Sequence, residues 1–209
     1  MIRPPERLPE RDAAIEAMLP HVPFDGWTAR ALRMGLAGAG IPAEEAALLF
    51  PGGAVDMIAV FCDLADRRMT EAAAALTETK LTARVRALIA LRLAVNRPHK
   101  EAIRRALSVL ALPGNARAAA AITARTVDAI WHAAGDRSAD FSWYTKRAIL
   151  TAVYGATLLF WLHDASEDGA DTLDFVDRRL RDVGRIGKLR GRMDAVLGRL
   201  RPVCAAAHA

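Results

Sequence analysis

The chain has 209 residues, of which 53% are hydrophobic and 25% charged, a length and balance that suit one substantial buried core, or a small domain packed on a larger one, and exclude a disordered chain. The longest weakly polar run, Ala148 to Leu162, falls short of the ~20 residues of a bilayer span, and the opening MIRPPERLPERD carries no apolar stretch of the kind a signal peptide needs, so a cytoplasmic protein is expected. Of the net charge of +5, the segment from Arg178 to Arg201 holds nine Arg or Lys against two Asp, a local +7 that leaves the remainder at −2; the C-terminal arm is cationic and the body mildly acidic.

Apolar residues recur at helical spacing almost throughout, and no alternating Val/Ile/Thr-rich run is long enough to suggest a sheet, so the fold class is predicted to be all-α. Breakers at Pro20 to Gly26, Gly38 to Pro42, Pro51 to Gly53, Asn96 to Pro98, Pro113 to Asn115, Gly135 to Asp140 and Asp164 to Asp171 divide the chain into about nine helices. Three short ones come first, Arg11 to Leu19, Thr28 to Ala37 and Ala43 to Leu49. The tight Gly38-Ala39-Gly40-Ile41-Pro42 connection gives the last two helix-turn-helix spacing. Longer helices are predicted over Ala54 to Thr77, Thr82 to Val95, Lys100 to Leu112, Ala116 to Ala134, Ser142 to Leu162, and Thr172 to about Arg185. This order is similar to a TetR-like architecture: a three-helix head over residues 1–53, a helical ligand-binding body over 54–183, and a C-terminal amphipathic arm over 184–209.

A DNA-reading head needs Lys or Arg against phosphate. None occurs between Ile41 and Asp66, and that window carries Glu44, Glu45, Asp56, Asp63 and Asp66. Loss of nucleic-acid binding is therefore expected, which argues against the alternative reading, a ligand-responsive TetR-type transcriptional regulator.

The aromatic residues are concentrated near the middle of the body. Trp131, Trp143, Trp161, Tyr144 and Tyr154 all fall within 31 residues, a pattern that favours binding over chemistry. On the helix from Ser142, the 100° step aligns Trp143, Arg147, Leu150, Tyr154, Leu158 and Trp161. Such a stripe is either plain core or, with Ile130 and Trp131 of the preceding helix, the lining of a cavity. At the start of that helix, Asp140 or Ser142 is placed to cap the first amides. In the arm, Leu189, Met193, Val196, Leu197 and Leu200 share one face, with Lys188, Arg192 and Arg199 along one edge and Arg190 and Arg201 along the other. Cationic side chains bordering an apolar stripe suit a membrane interface; the alternative is a tail helix packed on the body or on a second subunit. The five His show no metal-ligand spacing, Cys62 and Cys204 give no disulfide framework, and no catalytic motif is present, so neither enzyme activity, cofactor nor metal is expected.

The segment GDRSADFSWYTKRA over Gly135 to Ala148, followed by Tyr154, Asp164, Ser166, Asp171-Thr172, Phe175, Arg179 and Asp182-Val183, resembles one family, as does the Leu49-Phe50-Pro51-Gly52 step. The family is the ninth coenzyme Q (ubiquinone) biosynthesis protein, an accessory factor with a TetR-like fold. Leu173 replaces a Trp usual there, and Ala139 and Ser142 stand where Thr and Asn are usual. The resemblance implies an isoprenoid or quinone lipid held in the body, with Ile130, Trp131, Leu150, Tyr154, Leu158 and Trp161 as its expected lining. It implies a partner, the di-iron demethoxyubiquinone hydroxylase, with Asp140, Trp143, Tyr144 and Arg147 as the docking candidates. The arm, through Lys188, Leu189, Arg190, Arg192, Met193, Val196, Leu197, Arg199 and Leu200, is expected to rest on the inner face of the membrane. A homodimer is expected by analogy with TetR-like bodies.

Overall fold

The computed structural model describes residues 4–136 and 142–184. Within them the chain is helical with no strand: α1 Pro9–Met18, α2 Val22–Asp25, α3 Ala29–Gly38, α4 Ala46–Leu49, α5 Gly53–Ala72, α6 Leu81–Val95, α7 Lys100–Leu110, α8 Ala116–Ala133 and α9 Ser142–His163, then α10 over residues 170–184. Two compact units result, Met1–His163 and Asp164–Ala209.

The expected helices are present, with three differences at the head and its exit. Helix α2 lies inside the segment read as a breaker. Pro is compatible with a first helical turn, where the missing N–H costs nothing, so Pro23 sits in α2 and Gly26 (φ 71°) closes it. The expected helix at 43–49 is a 3-10 turn, Ala43–Glu45, followed by the single α-turn of α4. Helix α5 ends at Ala72, and a 3-10 turn over Ala73–Ala75 carries the chain into extended backbone at Leu76.

Helix α3 starts on a side-chain cap, Thr28 Oγ1 accepting from the Ala31 amide at 3.2 Å, and ends where Gly40 takes φ 72° and the Ile41 amide donates to Leu36 O at 2.9 Å. Left-handed φ of this kind favours glycine. Helix α1 packs on α3 and α5, and Gly35 marks the closest approach. A Cβ there would meet the backbone of Ala17 and Met18 at 2.6–2.7 Å. Gly35→Ala is expected to cost about 1–3 kcal/mol through forced separation of the helices, whereas Gly38→Ala, with open space around it, should be neutral or slightly stabilising. Urea denaturation of the two variants checks the contrast; equal effects would rule out the close contact as the reason for glycine at position 35.

The head is bonded to the body rather than hung from it. Trp27 is buried, its Nε1 donates to Ala102 O of α7 at 2.9 Å, and its ring lies 5.3 Å from that of Phe61. Charges cross the same junction. Arg11 of α1 pairs with Asp56 at 2.5 Å, Arg7 with Asp63 at 2.9 Å, and Arg67 with Asp12 at 2.7 Å and Asp63 at 2.9 Å.

These pairs revise the charge argument made from sequence. Asp56, Asp63 and Asp66 lie on α5 and all three are compensated by Arg, so the −5 of the 41–66 window is not a field presented to a groove. Glu44 and Glu45 alone stand on the segment in the recognition-helix position. That segment has no cation and amounts to one 3-10 turn plus one α-turn.

In the second unit, Asp164 organises the entry to α10. Its carboxylate accepts from Ser166 N at 2.8 Å, Ser166 Oγ at 2.6 Å and Thr172 N at 2.9 Å. Burial pushes this carboxyl up, but the hydrogen bonds from Ser166 and Thr172 outweigh it and hold the group at about 2. The Asp-x-Ser…Thr pattern that the sequence shares with its look-alike family is thus a helix-entry cap.

Candidate functional site

Helices α5 to α9 enclose a cavity of about 70 Å³. Its apolar wall comes from Phe61, Leu93, Ile122 and Leu158 together with Ile103, Ala106, Leu107 and Leu110 of α7. The remaining wall is polar, made by Arg92, Asn96, Thr126, Tyr154 and Cys62.

That polar wall is built on a buried ion pair. Arg92 Nε donates to Asp66 Oδ1 at 2.7 Å, and Thr126 Oγ1 donates to Asp66 Oδ2 at 2.9 Å. Asn96 Nδ2 donates to Arg92 O at 2.7 Å. Burial raises the Asp66 carboxyl above its usual range although Arg92 and Thr126 pull the other way. Burial lowers the Arg92 guanidinium, but the negative groups around it win and its value is raised, so it stays cationic. The Cys62 thiol is pushed by burial up to about 11 despite Arg92, which leaves it an unreactive neutral group. Tyr154 is 6% exposed, its hydroxyl makes no hydrogen bond among the described residues, and burial raises its pKa against the opposing charge of Arg92.

A larger recess, about 660 Å³, opens on the other side of Asp66 between α5 and α8. Its lining mixes charged side chains, among them Arg67, Glu71, Arg125, Asp128 and Arg147, with apolar surface from Pro4, Ala129 and Trp143. Volume alone would favour it as a ligand site, but its walls carry more charge than those of the smaller cavity, so a hydrocarbon tail gains less from them. The smaller cavity has the apolar lining, and the groove has the character of a protein-facing surface. The Arg147 guanidinium stacks over the Trp143 ring at 3.7 Å and bonds Asp128. The Trp143 and Tyr144 rings meet edge to face at 4.7 Å, and Tyr144 is 68% exposed. One terminal nitrogen of Arg147 and the indole nitrogen of Trp131 are buried without a partner.

Of the residues expected to line a lipid site, Tyr154 and Leu158 face the cavity. Ile130, Leu150 and Trp161 are buried outside its lining, Trp161 under the Lys100 ammonium at 4.9 Å. Trp131 is half-buried beneath Lys146 at 5.9 Å. Of the docking candidates, Trp143, Tyr144 and Arg147 are brought together, while Asp140 lies outside the described residues. So do the arm residues Lys188, Leu189, Arg190, Arg192, Met193, Val196, Leu197, Arg199 and Leu200. Among the described residues, no three His, Cys, Asp or Glu gather as a metal site, and no single helix is long and apolar enough to cross a membrane.

The Asp66–Arg92–Thr126 cluster was missed by sequence reading, yet it left a signal. Val85, Leu88, Ile89, Arg92 and Leu93 share one helical stripe, as do Ile58, Cys62, Asp66 and Met69. A charge at a core position of each of two helices, of opposite sign, is the sequence signature of a buried pair.

Comparison with known proteins places this geometry. Residues 116–187 match the family described as COQ9. The chain is 33% identical over 182 residues to the ubiquinone biosynthesis protein COQ9, mitochondrial, of Homo sapiens, taking in 83% of this chain and 57% of that protein. It is 34% identical over 177 residues to the corresponding protein of Schizosaccharomyces pombe, 84% of this chain and 70% of that one. The chain thus spans a little over half the length of the human relative. Among solved structures, a TetR transcriptional regulator from Nitrosomonas europaea superposes with a TM-score of 0.66 at 23% identity, over 83% of this chain and 97% of that one; the likeness is one of fold.

Proposed function

The chain belongs to the COQ9 family, and on that premise we propose that it is a non-enzymatic accessory protein of ubiquinone biosynthesis. It takes up an isoprenoid or quinone lipid in the α5–α9 cavity and presents it to the di-iron demethoxyubiquinone hydroxylase. The hydroxylase docks on the groove edged by Trp143, Tyr144 and Arg147, and the cationic arm rests on the membrane from which the lipid is drawn.

The observation that carries this reading is the likeness to COQ9 proteins over more than four-fifths of the chain. The mixed cavity supports it, since lipid and cofactor sites are mainly apolar with a few placed polar groups. Its volume sets a condition. About 70 Å³ compares with about 30 Å³ for one water and about 300–1,000 Å³ for drug-sized ligands, so a long tail enters only if a wall moves. Helix α7 is the shortest of the five walls and supplies half of the apolar lining, so it is the wall expected to move. Each methylene then buried contributes about 0.8 kcal/mol toward that opening.

Native mass spectrometry of the purified full chain tests the reading: a co-purified lipid is expected. Leu107→Trp, which fills the cavity, should lower its occupancy about tenfold or more at an overpacking cost of about 1–3 kcal/mol. A protein that carries no lipid and takes none up from vesicles would instead be a scaffold.

The regulator reading rests on fold alone. The cation-free, two-turn segment at 43–49 disfavours it, and a gel shift that weakens with salt would revive it.

A further inference from the structure

A surface recess of about 320 Å³ adjoins the cavity, walled by Val55 and Ala59 of α5 and Ala118 of α8 and edged by Pro4 and Pro5 of the N-terminal segment. Among the described residues, Ile122 is the one that lines both spaces. We propose that Ile122 is a gate between them, and that the recess is a second chamber, which takes the far end of a hydrocarbon tail and so sets the chain length the protein prefers. This assignment rests on the lipid reading above and adds to it where the tail ends and which residue selects it.

Three observations carry it. First, the volumes are complementary. The cavity alone, at about 70 Å³, holds only a few methylenes, whereas the recess at about 320 Å³ brings the joined site into the range of about 300–1,000 Å³ that organic ligands occupy. Second, the local sequence leaves the gate room to swing. A helical side chain leans over the turn N-terminal to its own Cα, and for Ile122 that turn is Ala118-Ala119, so α8 places nothing larger than a methyl group beneath it. The β-branch holds χ1 in a helix, which leaves χ2 to carry the outer methyl aside. Third, the N-terminal edge suits apolar contents. Pro4 has no N–H and neither has Pro5, so this segment borders an apolar space without stranding a donor there. It is tied down by Arg7, which donates to both Asp63 carboxylate oxygens at 3.1 and 2.9 Å; with the Arg7 side chain 64% exposed the tie is weak, and the segment can lift as a tail arrives. The charged lining, Glu6, Arg11, Asp56 and Arg125, has two groups of each sign, and Arg11 is paired with Asp56 at 2.5 Å, so the recess has no net charge to draw an ion in place of a tail.

The test is an NMR titration of the full chain with straight-chain 1-alkanols of increasing length, butanol, hexanol, octanol and decanol. Wild-type affinity is expected to rise about fourfold for each added methylene, the worth of its burial, through the whole series. Ala59 and Ala118 are half-buried walls of the open recess, so Ala59→Leu and Ala118→Leu each add bulk into empty space. Either should leave butanol binding as it is and weaken decanol about tenfold or more. Ile122→Val removes only the methyl that swings, and should raise the decanol-to-butanol affinity ratio severalfold. Decanol binding that is the same in both leucine variants as in wild type, or wild-type affinity that levels off at hexanol, would overturn the second chamber and leave the cavity standing. An unchanged or lower ratio in Ile122→Val would overturn the gate. If no alkanol binds, the lipid reading itself falls together with both.

Discussion

Arg92→Met is expected to cost the fold about 3–5 kcal/mol at neutral pH, because it strands a carboxylate in the middle of the helical body. Asp66 is buried, and Arg92 is its cationic partner at 2.7 Å. Thr126 alone, donating at 2.9 Å, cannot compensate a full charge in a low-dielectric site. Urea denaturation followed by far-UV circular dichroism measures the loss. An effect below about 1 kcal/mol, the usual worth of a surface pair, would mean that water reaches the site.

The pH dependence has a definite sign. Burial places the folded-state pKa of Asp66 above the usual carboxylate value of 3.8. Between that value and the raised folded one, the native state holds the extra proton, and stability falls as pH rises. Arg92 is what restrains this upward shift, so removing it moves the upper limit of the window higher. The Arg92→Met deficit should therefore be smaller at pH 5 than at pH 8. The double variant Asp66→Asn/Arg92→Met has no charge to strand and should recover most of the loss, since replacing a buried pair with neutral groups is often close to neutral. A deficit that is flat with pH and persists in the double variant would place the cost in packing rather than charge.

The same pair shows what the sequence made legible and what it did not. Helix spans from Leu81 to His163 are fixed by 3.6-residue periodicity and by breakers such as Pro98, Pro113 and Gly135, signals local to each segment. The head was legible for the same reason except where Pro23 opens a helix instead of breaking one. What a single sequence does not carry is which side of a stripe meets which helix. The α9 stripe from Trp143 to Trp161 was correctly read as a run at helical spacing, but α9 is covered unequally along its length. Leu150, Tyr154 and Trp161 are buried, while Leu159 is 58% exposed, and of the expected lining only Tyr154 and Leu158 reach the cavity. The other wall comes from α7, whose Leu107 and Leu110 are 44 or more positions away from Tyr154 in no shared pattern. The acidic window at 41–66 misled for a related reason, since its partners Arg7, Arg11 and Arg92 lie outside it and a local charge count sees only one half of each pair.

If the hydroxylase docks on this face as proposed, Tyr144→Ala is expected to weaken its binding by about 2 kcal/mol or more, roughly thirtyfold, while leaving the stability of the isolated chain within about 0.5 kcal/mol. The two halves of that statement rest on different observations. Tyr144 is 68% exposed, so its truncation removes little from the core. Yet it stands edge to face on Trp143, which is itself stacked under Arg147 at 3.7 Å, so the three side chains form one rigid, preorganised surface. Trp, Tyr and Arg dominate interface hot spots because they bury large areas at small entropic cost. Trp143→Ala should weaken binding at least as much, but it also removes the platform under Arg147, so a stability change is expected with it. Titration calorimetry of each variant against the cognate hydroxylase, alongside urea denaturation of the free chain, separates the two effects. Wild-type affinity in Tyr144→Ala would remove the partner from this face and leave the cluster as a capping arrangement for the start of α9.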